Sequence, residues 1–190
     1  LISCTNFSFQ KAEEKEISSD STIYWINQSK IEKRSLSQKK NYLSKAYQEE
    51  RQANHKNKSK YLSKIAYQYL NLGDTVRFKN INRETYQIAK RQNDTLILGD
   101  IHWNYAYYYN QKVVYDSAYY HYNKAYQYFS KTSKQQYTAQ MLYNMSLIRG
   151  RYRDYAGSEL LIIKSIRIYR DLKDYSSLYA SYNHLAILQK

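Results

Sequence analysis

The sequence predicts an all-α chain built as a row of antiparallel helix pairs, and three observations carry that prediction. There is no proline and there are only four glycines in 190 residues. The tight turns on which short-strand sandwiches, barrels and alternating βαβ units depend therefore lack the residues that make them. Apolar residues recur at helical spacing, as in Leu62, Ile65, Ala66 and Tyr69, which line one face of a helix. Finally, the chain matches itself at an offset of 40 residues, the mark of a repeat array.

The offset is read from columns. Ala66, Ala106, Ser146 and Ala186 are all small, and each follows a large apolar residue: Ile65, Tyr105, Met145 and Leu185. Three residues before those stand Leu62, His102, Leu142 and Tyr182. A second small column, Thr85, Ala125 and Ser165, is trailed by Tyr86, Tyr126 and Ile166. Small residues are required where two helices cross closely enough for a neighbour's side chain to enter. Each unit reads as two helices. In the first clear unit a turn at "LGDT" places Gly73 just past a helix, where a left-handed backbone costs least, and the second helix carries Phe78, Ile81, Thr85 and Ile88 on one face. Asp94 and Asp174, 80 residues apart, suit N-caps of the next first helices.

Upstream, "DSTIYWINQSKIEK" (20–33) and "YLSKAYQEERQAN" (42–54) read as a degenerate first pair, with Trp25 in its core. The domain organisation predicted is a tether over 1–19, a capping repeat over 20–58, and repeats over 59–98, 99–138, 139–178 and a partial 179–190. The last helix, without its partner, suggests a chain that continues.

Tyrosine is unusually frequent, 25 residues, and dense in "NYAYYYNQKVVYDSAYYHYNKAYQYF". Ala106, Tyr109, Tyr115, Ala118, Tyr122 and Ala125 fall in packing columns, so those rings read as core filler with hydroxyls near the boundary. Tyr107, Tyr108, Tyr119 and Tyr120 fall off the stripe.

The columns of "WNYAYYYNQKVVYDSAYYHYNKAYQYF" resemble the tetratricopeptide repeat consensus: Tyr105-Ala106, Tyr109, Tyr115-Asp116, Ala118, Tyr122 and Ala125 follow its order. The resemblance covers about 59–190 and implies a right-handed α-α superhelix, a tetratricopeptide-like solenoid. Two departures stand out: no proline follows any second helix, and the period is 40 where the family has 34. Both imply helices extended by a turn or so. "RYRDYAGSELLIIKSI" and "YASYNHLAIL" look like the N-terminal repeat region of Bacteroidetes envelope sensor histidine kinases and related regulators.

In this family the first helices line a peptide groove. Carried over by position, the groove residues are Lys60, Lys64, Tyr67 and Asn71, then Trp103, Asn104, Tyr107 and Gln111, then Tyr143, Asn144, Arg151 and Asn183, with Leu147, His184 and Ile187 in the same rows. Of the five residues with which some members clamp a peptide carboxylate, Asn104 alone matches, so no clamp is expected.

Net charge is +14, and Lys30 to Arg91 alone hold 16 basic against five acidic residues. A basic face suits nucleic acid, anionic lipid or an acidic protein, or is simply solvated. The one cysteine excludes an internal disulfide. Leu1-Ile2-Ser3-Cys4 resembles a bacterial lipobox, which implies lipidation of Cys4 and a cell-envelope location outside the cytoplasm. An accidental free thiol is the alternative. No apolar run reaches the ~20 residues that span a bilayer.

No phosphate loop, nucleophile elbow or zinc motif is present, and the four histidines occupy unrelated repeat positions. The expectation is no catalytic residue, no metal and no cofactor. The function expected is a non-enzymatic protein- or peptide-binding module, the sensory or scaffold part of an envelope-anchored signalling protein. A basic single-stranded nucleic-acid binder and a plain scaffold lipoprotein are the alternatives.

Overall fold

A computed structural model of the chain describes residues 21–189, and they are helical between short turns. Cys4 and the segment 1–19, with their expected lipid and tether, lie outside the described residues. The helices are α1 (21–29), α2 (Leu36–Gln52), α3 (Lys58–Asn71), α4 (Thr75–Arg91), α5 (Thr95–Gln111), α6 (Tyr115–Phe129), α7 (Gln135–Arg151), α8 (Tyr155–Asp171) and α9 (Tyr175–Leu188). The chain divides into two compact units, Leu1–Gln92 and Asn93–Lys190.

The period of 40 is two half-periods of 20. Helices α4, α5, α7 and α8 each have 17 residues, followed by three-residue turns except after α4's counterpart α6. That helix has 15 residues and is followed by the five-residue turn 130–134, so the register survives. Relative to a 34-residue repeat, each helix gains about three residues, close to one turn.

The turns are built alike. Gly73, Asn93, Val113, Arg153 and Lys173 all have positive φ, between 52 and 73°. After α3, Asp74 N–H donates to Tyr69 C=O at 2.9 Å and Gly73 N–H to Leu70 C=O at 3.0 Å, a Schellman motif. The same pair of bonds closes α5 (Val114 to Tyr109), α7 (Asp154 to Arg149) and α8 (Asp174 to Tyr169). The residue that ends one helix then caps the next. Asp74, Asp94, Asp154 and Asp174 accept from the backbone N–H of Arg77, Ile97, Gly157 and Ser177. The expected caps Asp94 and Asp174 are thus in place, with two more.

The small columns are buried where helices cross within a unit. Ala66, Ala106 and Ser146 are fully buried, as are Thr85, Ala125 and Ser165. Where serine replaces alanine its hydroxyl bonds a backbone carbonyl on the facing helix: Ser158 Oγ to Ser146 C=O at 2.8 Å, Ser165 Oγ to Ala139 C=O at 2.9 Å. Polar crossings are thereby satisfied without widening the contact. Ala186 is exposed because no helix among the described residues covers that face of α9.

Within the second unit, Ala106, Ala118, Tyr122, Ala125, Phe129, Met141, Leu142, Met145 and Ile148 form one core, with Tyr109 and Tyr115 packed against it. The tyrosines expected as core filler serve as such. Gly99 is demanded by the same core, since a Cβ there would stand 2.5 Å from the ring of Phe129.

Three expectations need correction. The helix pairs run 58–91, 95–129 and 135–171, so unit edges at 98, 138 and 178 fall inside the first turn of the next helix, displaced because the columns mark crossings and not turns. The first pair is divided differently: α1 stops at 29 and not 33, and α2 begins at Leu36 and not Tyr42, with a capping box between Ser35 and Gln38. Trp25 is only half-buried; its indole N–H donates to Glu49 at 2.8 Å and its face stacks on Tyr42.

Candidate functional site

The expected groove residues form two separate sets. In the first unit, Lys60, Lys64, Tyr67 and Asn71 recur at i, i+4, i+7 and i+11 along α3 and are all exposed, a cationic stripe with one aromatic. In the second unit the fates diverge. Trp103 is half-buried and works in the core: its ring meets Phe129 edge-on at 6.1 Å and Tyr137 at 5.6 Å. Asn104 is buried, so neither is an open groove position. Tyr107 is half-buried and Gln111 exposed on α5. Asn144 accepts from Gln140 within α7, and Asn183 is exposed on α9.

Where α7 touches α9 an open trough of about 630 Å³ forms, lined by Leu147, Gly150, Arg151, Tyr155, His184, Ile187 and Leu188. Leu147, Arg151, His184 and Ile187 belong to the rows that the repeat register marks; Gly150, Tyr155 and Leu188 were missed. Gly150 supplies the room: a Cβ there would lie 3.4 Å from Leu188 Cδ2 and 3.6 Å from His184 Cε1. A glycine within a helix is unfavourable by about 1 kcal/mol against alanine, which was the available signal.

The lining is mostly apolar, with polar groups from Arg151, His184 and Tyr155. His184 Nε2 lies 3.3 Å from Ser158 Oγ, with the Tyr143 ring edge-on at 6.1 Å. Burial holds the His184 imidazole below its ordinary pKa, so at neutral pH it is uncharged. Arg151, its guanidinium 5.2 Å from the Tyr115 ring centroid, is then the one formal charge among the lining residues. The next turn is braced separately: Arg149 bonds Asp154 and donates through Nε to the Tyr119 hydroxyl at 3.1 Å. Tyr119, assigned off the stripe, therefore packs and bonds inside, while Tyr120 is exposed.

One chemical grouping was invisible in the register. His102 on α5 and His121 on α6 meet with Nδ1 atoms 3.0 Å apart and ring centroids 5.2 Å apart. The centroid separation exceeds the nitrogen separation by roughly two ring radii, so the nitrogens face head-on, the arrangement in which one neutral ring carrying its proton on Nδ1 donates to the other. A metal would need both lone pairs converging to one side. Tyr105, Tyr109, Tyr120 and Tyr128 surround the pair. Desolvation lowers both imidazoles to about 4, assisted at His102 by His121 and Lys124. Antiparallel helices joined by a short turn bring together residues about equally far from that turn, which is the signal the column comparison did not use. Among the described residues no group of three or more metal-ligating side chains forms.

No protein-family profile matches the chain, and no curated protein does. Solved structures match in shape. Aspartyl phosphate phosphatase F from Bacillus subtilis superposes with a TM-score of 0.74 at 18% identity, covering 92% of this chain and 45% of that one. BtubC from P. vanneervenii superposes with a TM-score of 0.68 at 14% identity, covering 80% of this chain and 65% of that one. The chain spans less than half of the Bacillus protein's length. At these identities the likeness is one of fold: an all-helical, tetratricopeptide-like repeat.

Proposed function

We propose that the chain is a non-enzymatic protein-binding repeat module whose second unit receives a peptide in the trough between α7 and α9. The observation that carries this is the trough itself: Leu147, Ile187 and Leu188 line it with apolar surface, Gly150 adds no side chain, and Arg151 is its one formal charge. That combination accepts a bulky apolar side chain next to a carboxylate, with Tyr155 supplying rigid apolar area. The shared fold with two helical-repeat structures supports binding over catalysis at the level of architecture.

The finer placement follows the sequence. A lipobox-like Leu1–Cys4, repeats similar to those of envelope sensor kinases, and a fold shared with a protein named for aspartyl phosphate together support the sensory or scaffold part of an envelope-anchored signalling protein. Peptide-phage selection on the purified chain tests the binding. The expected winners share an apolar residue beside an acidic one and lose affinity on Gly150→Leu and on Arg151→Glu. Selection without enrichment, or winners indifferent to both changes, would refute it.

A further inference from the structure

We propose that the first unit carries a second, independent interaction surface: a basic, apolar-tipped wedge at the α1–α2 connection that docks on an anionic lipid surface. The proposal goes beyond the peptide-binding function and does not depend on it.

The connection is short, residues 30–35, and it is held in shape. Lys30 and Ile31 N–H donate to Asn27 and Gln28 C=O, Arg34 N–H donates to Ile31 C=O, and the Ser35–Gln38 capping box closes the other side. This fixed turn presents Ile31 at 40% and Leu36 at 53% exposure, and the adjoining helix presents Tyr24 at 52%. The same connection carries Lys30, Lys33 and Arg34, with Lys39 on the first turn of α2, against the single acidic Glu32; Arg34 lies over Tyr42, and Lys30 and Lys33 are exposed. Large aliphatic side chains displayed at a turn that also carries exposed cations are the chemistry of interfacial membrane binding: the apolar tips enter the headgroup boundary and the cations meet anionic lipid.

The wider unit strengthens the field. Among residues 21–92 the basic side chains outnumber the acidic by 16 to five. Four of those five acidic groups are engaged internally. Glu49 accepts from Ser21 and Trp25, Glu50 is fully buried beside His55, Glu84 accepts from Tyr47, and Asp74 caps α4 and pairs with Lys40. The unit keeps a net charge of +11 with those carboxylates counted, and Glu32 is the one acidic residue within the connection itself.

Single-stranded nucleic acid, which also seeks basic surfaces, fits less well. It binds by stacking bases on open aromatic faces, whereas Trp25 and Tyr42 are already stacked on each other and Tyr24 meets Trp25 edge-on. Trp25 lies against Tyr42 with centroids 5.6 Å apart, the Arg34 guanidinium covers Tyr42 at 4.3 Å, and the Lys45 ammonium covers Trp25 at 4.7 Å. Ile31 and Leu36 have no part to play on a nucleic acid, and they are the feature that favours lipid.

The test is vesicle co-sedimentation with the full chain carrying Cys4→Ser, so that any affinity is the protein's own. Vesicles of phosphatidylglycerol with phosphatidylcholine are compared with phosphatidylcholine alone, at low and physiological salt. Binding is expected to the anionic vesicles only. Ile31→Ser/Leu36→Ser, which leaves charge unchanged, should weaken it about tenfold, and Lys30→Glu/Lys33→Glu should abolish it, both with parental circular dichroism. Gly150→Leu, at the trough, should leave vesicle binding unchanged. The proposal falls if no anionic vesicle is bound, if neutral vesicles bind equally, if the serine pair has no effect, or if labelled oligo-dT binds more tightly than vesicles at the same salt.

Discussion

The turn between α5 and α6 departs from its siblings in a way that can be measured. At the left-handed position the others carry Gly73, Asn93, Arg153 and Lys173, and this one carries Val113 at φ 61°. A β-branched residue is the worst choice there, because its Cβ substituents crowd the backbone; the left-handed conformation costs an ordinary L-residue about 1–2 kcal/mol. At the capping position the others carry aspartate, and this one carries Val114, which makes no side-chain cap. Both valines are exposed, at 65% and 45%, so replacing them forfeits little burial. Val113→Gly should recover the strain, less about 0.5–1 kcal/mol for the freedom glycine gains in the unfolded chain. Val114→Asp should add a bond to the Ser117 N–H, by analogy with Asp74, Asp94, Asp154 and Asp174, for about 1 kcal/mol. Together they should stabilise by about 1–2.5 kcal/mol, which for a chain of this size raises Tm by roughly 2–10 °C. Thermal unfolding followed at 222 nm measures it. Arg153→Gly is the control, expected to gain less because arginine is not β-branched. A Val113→Gly/Val114→Asp chain melting at or below the parent would refute the reasoning about how these turns are made.

Two helical glycines should respond oppositely to alanine. Gly99→Ala forces a methyl against Phe129 and should destabilise by about 1–3 kcal/mol, read by urea unfolding. Gly150→Ala meets only ordinary contacts, so it should stabilise by up to about 1 kcal/mol while narrowing the trough and weakening any selected peptide, read by calorimetry. Acid should destabilise through the histidine pair. His102 and His121 lie near 4 in the fold against an ordinary 6.5, so the unfolded chain binds more protons between those values. Their contribution is therefore full above pH 6.5 and lost as pH falls toward 4. Glu50, whose carboxyl burial raises, acts in the opposite sense. His102→Gln/His121→Gln isolates the pair and should flatten the pH dependence of Tm between 6.5 and 4.

The helical class, the 40-residue period and the identity of the crossing residues were legible in the sequence, because small side chains at a crossing are a local steric demand that each unit repeats. Asp94 and Asp174 were legible as caps for the same reason: a cap is satisfied within three residues of itself. Unit edges were misplaced, since columns report where helices touch and the turns lie elsewhere. What tertiary structure alone decided are the meetings of residues far apart in the chain. Trp103 and Asn104 keep their register as groove positions yet fold inward, Trp103 because Phe129 and Tyr137 offer it an aromatic slot. Gly150 comes to line a trough only when α9 lies against α7, and His102 meets His121 only when α6 returns along α5. Periodicity encodes which face of each helix is buried, a property of neighbours along the chain. The shape and chemistry of a site depend on which side chains from different helices arrive at one point, and no repeat register specifies that.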